Sequence, residues 1–268
     1  MVQKSTKPVL KHSKQFEFPN SVQIFFSDYA SHEKTATEVV RKYRHDHRSK
    51  MEMERSFAWV QGKSGLPWLE LAIQFPFEEM LVEVKRLRHR FVSHRSGGKK
   101  GYSDGNRGWK ALTLHGLGPE KTGDYLQYGY QSDAEAPYVW TEIADQCPIT
   151  TKFFKEIYPR DRYFRVRFSM IEAGGFIYPH VDRDYSYLDE VNMALNHPEG
   201  CFLKMKGQGY VPFRPGKTFI LDVSNTHAVV NLSNEDRYHM IVHAETIHNE
   251  RWRELIVRSY RNLLKLES

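Results

Sequence analysis

His180-Val181-Asp182 and His227 are the residues of this sequence whose types and spacing could do chemistry together. If His180 and Asp182 lie in a strand, positions i and i+2 share a face and both can reach one ion. A histidine from a neighbouring strand would complete two imidazoles and one carboxylate. That donor set leaves open positions on a metal and is the facial triad of non-haem iron(II) oxygenases. His227 follows His180 by 47 residues, room for several intervening strands. Arg237 comes ten residues later, at the start of RYHMIVHA. A guanidinium there can pair with a carboxylate through two hydrogen bonds, as a dicarboxylate cosubstrate requires. In a chain with 13 histidines a His-x-Asp pair is weak evidence alone. His45-Asp46-His47, in a charged helical stretch, reads as a solvated face.

The elements that must position these residues follow from texture. Residues 1–20 read as a polar tail. Residues 31–57 read as a helix, with Ser31 as a candidate cap and neither Gly nor Pro after it. EEMLVEVKRLRHRF reads as a second helix, and residues 93–110 as a basic, Gly-rich surface connection. The helices of 31–91 are expected to buttress the β core through Val39, Val40, Leu81 and Val82. From Tyr163 onward short β-leaning runs are separated by Gly, Pro, Asn or Asp, and several alternate apolar with polar residues. These runs are YFRVRFSMIEAG, EVNMALN, CFLKMKG, KTFILDV, HAVVNLS and RYHMIVHAE. The last stretch puts Trp252, Leu255, Ile256, Leu263 and Leu264 on one helical face. Helices, then six to eight strands, then a closing helix predict an α+β fold with a sandwich or barrel core rather than alternating βαβ units.

Composition sets the outer limits. With 268 residues, 40% hydrophobic and 27% charged, the chain is an ordinary globular sequence, long enough for an unstapled core. Cys147 and Cys201 are too few for a disulfide framework and lack zinc-finger spacing, which fits a reducing compartment, taken here as the cytoplasm. No apolar run approaches the roughly 20 residues needed to cross a bilayer. A net charge of +6 permits an acidic partner without requiring one. The basic stretches 41–50 and 86–100 carry no nucleic-acid reader motif and read as solvated faces, so no nucleic acid is expected.

Six blocks carry a more specific signal: GWKALTLHG, DQCPITTKFFKEI, RVRFSMIEAGGFIYPH, the PEGC of NHPEGC, PGKTFILDVSNTHAVVNLS and EDRYHMIVHA. In order and spacing these blocks, within residues 108–248, resemble the aspartyl/asparaginyl β-hydroxylase family of iron(II)/2-oxoglutarate-dependent oxygenases. The resemblance implies a double-stranded β-helix (cupin-like) core with a metal near its mouth. By matched position His180 and His227 would ligate iron, and Arg237 would pair with the distal carboxylate of 2-oxoglutarate. Ser169 falls where the family places another cosubstrate contact. Some family members lack the metal carboxylate, whereas this chain offers Asp182. Where the family often carries Arg and His before PEGC, this chain has Glu190 and Asn192, and Asn192 retains the capacity to hydrogen-bond a carboxylate.

The expected organisation is a flexible tail (1–20) and one catalytic domain (21–268). That domain comprises a helical part to 107, the β core over about 108–248, and a C-terminal helix. The expected activity is hydroxylation of an amino-acid side chain, free or in a polypeptide, with iron(II), 2-oxoglutarate and dioxygen, releasing succinate and CO₂. Two rivals keep the fold: a cupin-like metalloenzyme that does not use 2-oxoglutarate, and a binding module without catalysis. Asp222 reads either as support for the metal ligands or as a strand-end turn residue, and His239 and His243 as core or surface histidines.

Overall fold

The computed structural model describes residues 16–28, 57–94, 106–245 and 249–265. The helix expected over 31–57 lies outside these residues apart from Phe57, as do Val39 and Val40, expected to buttress the core. Among the described residues eleven strands form one antiparallel sheet: β1 (Trp68–Glu70), β2 (Val92–Ser93), β3 (Arg107–Gly116), β4 (Val139–Trp140), β5 (Tyr163–His180), β6 (Glu190–Ala194), β7 (Cys201–Met205), β8 (Gly209–Tyr210), β9 (Thr218–Leu221), β10 (His227–Asn231) and β11 (Arg237–Ala244). Their order is β1-β9-β6-β11-β5-β10-β7-β8, with β3 also beside β5 and flanked by β2 and β4.

The 18-residue β5 is the spine. Its first half pairs with β11 (Arg237 opposite Ile171, His243 opposite Arg165) and with β3 (Ala111 opposite Ser169). Its second half pairs with β10, His180 opposite His227. The change of partner falls at a bend where Gly174 has φ +69°, a conformation costly for any residue with a Cβ. A Cβ there would also run into the Phe16 ring. Asn231 pins the bend by donating to the carbonyls of Ile171 and Glu172 at 3.1 and 3.2 Å.

Strand alternation divides the side chains. Val166, Phe168 and Met170 of β5, Tyr238, Met240 and Val242 of β11, and Val191 and Met193 of β6 pack in one apolar cluster with the helices. The intervening positions, Arg165, Arg167 and Ser169, then Arg237, Ile241 and His243, and Glu190 and Asn192, line the concave side. The sheet is thus a curled antiparallel half-barrel with helices on one face, the α+β double-stranded β-helix predicted from the sequence.

The helices hold that outer face. In Phe77–Arg86, Met80 and Val84 are buried, while Val82, expected among the core residues, is 60% exposed. At 100° per residue Val82 stands opposite the other two. Buried Glu83 accepts from Ile149 N (2.8 Å), Thr150 N (3.0 Å) and Thr150 Oγ1 (2.7 Å), capping the short Pro148–Lys152 helix. In Glu250–Lys265, Trp252, Leu255, Ile256 and Tyr260 are buried and Leu263 and Leu264 pack beside them, as the periodicity predicts. Two expectations are corrected. β3 starts at Arg107, so the end of the 93–110 connection is strand, and residues 95–105 lie outside the described ones. Phe16 and Phe18, within the span expected to be a tail, pack with Val22 and Phe26 against Phe176, Tyr210 and Val230. Phenylalanines spaced along a polar stretch escaped a reading based on charge content.

Candidate active site

His180 ends β5 and His227 begins β10 directly opposite, so the ladder fixes their separation; their ring centroids are 4.3 Å apart. Asp182 reaches them from beyond the strand end, across a bend, rather than from the same strand face as the sequence predicts. Its backbone N–H donates to Val223 O at 3.1 Å. Its Oδ2 lies 3.7 Å from His180 Nε2 and 3.5 Å from His227 Nε2, and the three ligand atoms all fall within 4.8 Å of one another.

The imidazoles are held from behind. His180 Nδ1 bonds the carbonyl of Tyr178 at 2.7 Å and His227 Nδ1 that of Asn225 at 2.9 Å. A carbonyl only accepts, so each Nδ1 carries hydrogen and both Nε2 atoms face Asp182, the tautomer a metal ligand needs. Burial raises the Asp182 carboxyl, but the two imidazoles facing it outweigh this and hold it below the usual carboxylate range. Asp222 proves to be a hub. It is buried and accepts from Tyr187 N (3.2 Å), Ser224 N (3.1 Å), Ser224 Oγ (2.6 Å) and Ser186 Oγ. It thereby joins the loop after Asp182 to the turn before His227.

These groups open into a cavity of about 510 Å³ that His180, Asp182, His227, Ser169, Asn192 and Arg237 all line. Arg237 is 2% exposed. Its Nη2 donates to His239 Nδ1 at 2.6 Å, its Nε has no partner, and no acid ion-pairs it among the described residues. Burial lowers its pKa. Ser169 is buried on β5, accepting from Trp109 Nε1 at 3.3 Å, which leaves its own O–H to donate. Asn192 spends one amide hydrogen on Glu190 Oε1 at 2.8 Å.

Sequence reasoning missed much of the remaining lining. Arg165 alternates with Arg167 and Ser169 in YFRVRFSM, and Arg183 pairs with Asp189 at 3.1 Å. Trp109 stacks on His94 with centroids 3.7 Å apart. The R-x-R-x-S alternation was the available signal, but it looks like a solvated strand face until the sheet curls. His243 also lines the cavity, whereas His239 is wholly buried beneath Arg237.

What the residues could hold follows from the donors. Two imidazoles and a carboxylate within one ion's reach suit a divalent transition metal with open positions. A buried guanidinium with an unsatisfied Nε and no acid partner suits an anion. The family model of aspartyl/asparaginyl beta-hydroxylases matches residues 75–246. Among solved structures, the chain resembles a 2OG-Fe(II) oxygenase family oxidoreductase from Burkholderia pseudomallei, with 11% identity, TM-score 0.42, and coverage of 80% of this chain and 93% of that one. It also resembles a prolyl-4-hydroxylase from Pseudomonas putida, with 14% identity, TM-score 0.38, and coverage of 67% and 93%. No curated protein matches the chain.

Proposed function

Because the chain belongs to the aspartyl/asparaginyl β-hydroxylase family, and is an oxygenase of the hydroxylase type, we propose that it hydroxylates an amino-acid side chain, free or in a polypeptide. In this reading iron(II) is held by His180, Asp182 and His227, and 2-oxoglutarate by Arg237 with Ser169 and Asn192. The observation that carries it is Arg237: a buried cation without an acid partner, lining the same cavity as the two histidines and the aspartate. A buried charge is costly until paired, so an anionic ligand relieves a penalty already present in the fold.

When bound, metal and cosubstrate supply the oxidising chemistry with dioxygen, releasing succinate and CO₂. The chain supplies placement. The Tyr178 and Asn225 carbonyls fix both imidazole tautomers. Arg237 presents fork donors to the distal carboxylate and Ser169 adds a hydroxyl donor. Ile177, Leu203, Val223 and Val229 form the apolar wall that excludes water. Arg165, Arg183, Asp189 and Glu190 leave both signs of charge in the cavity, which suits a substrate bearing ammonium and carboxylate or peptide groups.

The test is an anaerobic titration with iron(II) and 2-oxoglutarate. A weak visible charge-transfer band requiring both additions supports the reading. Metal binding without that band replaces it with a cupin-like metalloenzyme, and no metal binding replaces it with a binding module.

A further inference from the structure

Arg237 and His239, two residues apart on β11, and half-buried His197, from the connection between β6 and β7, form a line that runs back from the proposed cosubstrate anchor. Arg237 Nη2 lies 2.6 Å from His239 Nδ1, and His239 Nε2 lies 3.3 Å from His197 Nδ1. The proton positions are determined. A guanidinium only donates, so His239 Nδ1 accepts and the ring's hydrogen is on Nε2. That hydrogen points to His197 Nδ1, which accepts in turn. Phe213 covers the line, its ring 4.7 Å from that of His239, 5.5 Å from that of His197 and 5.9 Å from Arg237 Cζ.

This is an unusual way to orient a buried arginine, since carboxylates commonly serve, and a carboxylate would cancel the charge it orients. We infer that His239, backed by His197, is a positioning residue that fixes the Arg237 fork with a neutral acceptor and so leaves its full charge for a dicarboxylate ligand. Both histidines stay neutral. Burial lowers His239 well below the usual histidine value and the Arg237 charge adds to this, while His197 is lowered to about 3 by the same two causes in that order. Ser169 stands opposite His239 across the β5–β11 ladder, so the imidazole is built into the rung carrying another expected cosubstrate contact. The inference rests on the proposed use of 2-oxoglutarate, and its test separates the two.

The measurement is calorimetric affinity for 2-oxoglutarate and for pyruvate, which lacks the distal carboxylate, with manganese(II) as a redox-silent metal. The proteins are wild type, His239→Gln and His239→Glu. Gln keeps a neutral acceptor of similar reach, and its affinity for 2-oxoglutarate should stay within about threefold of wild type. Glu substitutes an anion and should cost at least about 30-fold for 2-oxoglutarate, with pyruvate and manganese(II) alone changing little. A Glu variant that binds 2-oxoglutarate like wild type, or Gln and Glu losing equally, would overturn the inference and leave the proposed function standing. Wild type without metal-dependent 2-oxoglutarate binding would sink the function and the inference with it. Should His239→Glu fail to fold, nitrogen-15 spectra of histidine-labelled wild type decide. A neutral His239 with its proton on Nε2 supports the assignment, and a charged ring or a proton on Nδ1 defeats it.

Discussion

His227 stands directly across the β10–β5 ladder from His180, and each ring's Nδ1 hydrogen goes to a backbone carbonyl two residues earlier. The pair is thus set by main chain rather than by mobile side chains. Loss of an outer-shell partner alone typically costs 10- to 100-fold in metal affinity, so His180→Ala or His227→Ala should cost more than about 100-fold. For His180→Ala circular dichroism and melting should change little, because His180 and Asp182 sit at the cavity mouth, each side chain about 30% exposed. Asp182→Ala should behave likewise. Retention of near-full metal affinity and turnover by Asp182→Ala would mean a two-histidine site.

Arg237 offers the sharper separation between binding and folding. Removing one partner of a buried charge pair costs about 2–5 kcal/mol, so Arg237→Ala should weaken 2-oxoglutarate roughly 30- to several-thousand-fold. Arg237→Lys should recover only part, since an ammonium keeps the charge but loses the planar fork. Metal affinity should hold. A well-folded Arg237→Ala with normal 2-oxoglutarate affinity would remove the anchor assignment.

Much of this was legible in the sequence because it is local. The alternation in β5, β6 and β11 announced strands, and Trp252, Leu255 and Ile256 announced the closing helix. His180, Asp182, His227 and Arg237 were named from type and spacing. What escaped depends on long-range pairing. Arg165 and Arg167 face the cavity only because β5 curls against β3 and β11. His197, a coil residue, reaches His239 only through the fold. Asp182 reaches the histidines through a bend that no strand period encodes.

The N-terminal segment provides a test of packing. Phe26 is fully buried with Phe18, Val22 and Tyr210, on the outer face of β5 and β10. Phe26→Ala should cost about 3–5 kcal/mol by denaturant unfolding, and truncation through residue 26 should destabilise more. A truncated protein as stable as full length would show that this N-terminal packing adds nothing to stability.

The last prediction concerns acid. His115, 8% exposed, lies against Trp140 and Tyr163, and its Nδ1 has no hydrogen-bond partner. Burial lowers its pKa to about 4, Lys155 adds to this, and a backbone hydrogen bond with Phe164 opposes it. In the unfolded chain the ordinary value is about 6.5. Between these values the unfolded state takes up a proton that the folded state refuses. The contribution to stability is therefore complete above about pH 6.5 and is lost as pH falls toward 4. From pH 7 to 5 this one ring should account for about 2 kcal/mol of lost stability. His197, His239 and His243 are also lowered, first by burial, and push in the same direction. His115→Phe keeps the ring shape and removes both the unsatisfied nitrogen and the titration. Urea unfolding at pH 7 should find it at least as stable as wild type, and its loss between pH 7 and 5 should be smaller by about 2 kcal/mol. A variant with the wild-type pH dependence would show that His115 does not refuse the proton.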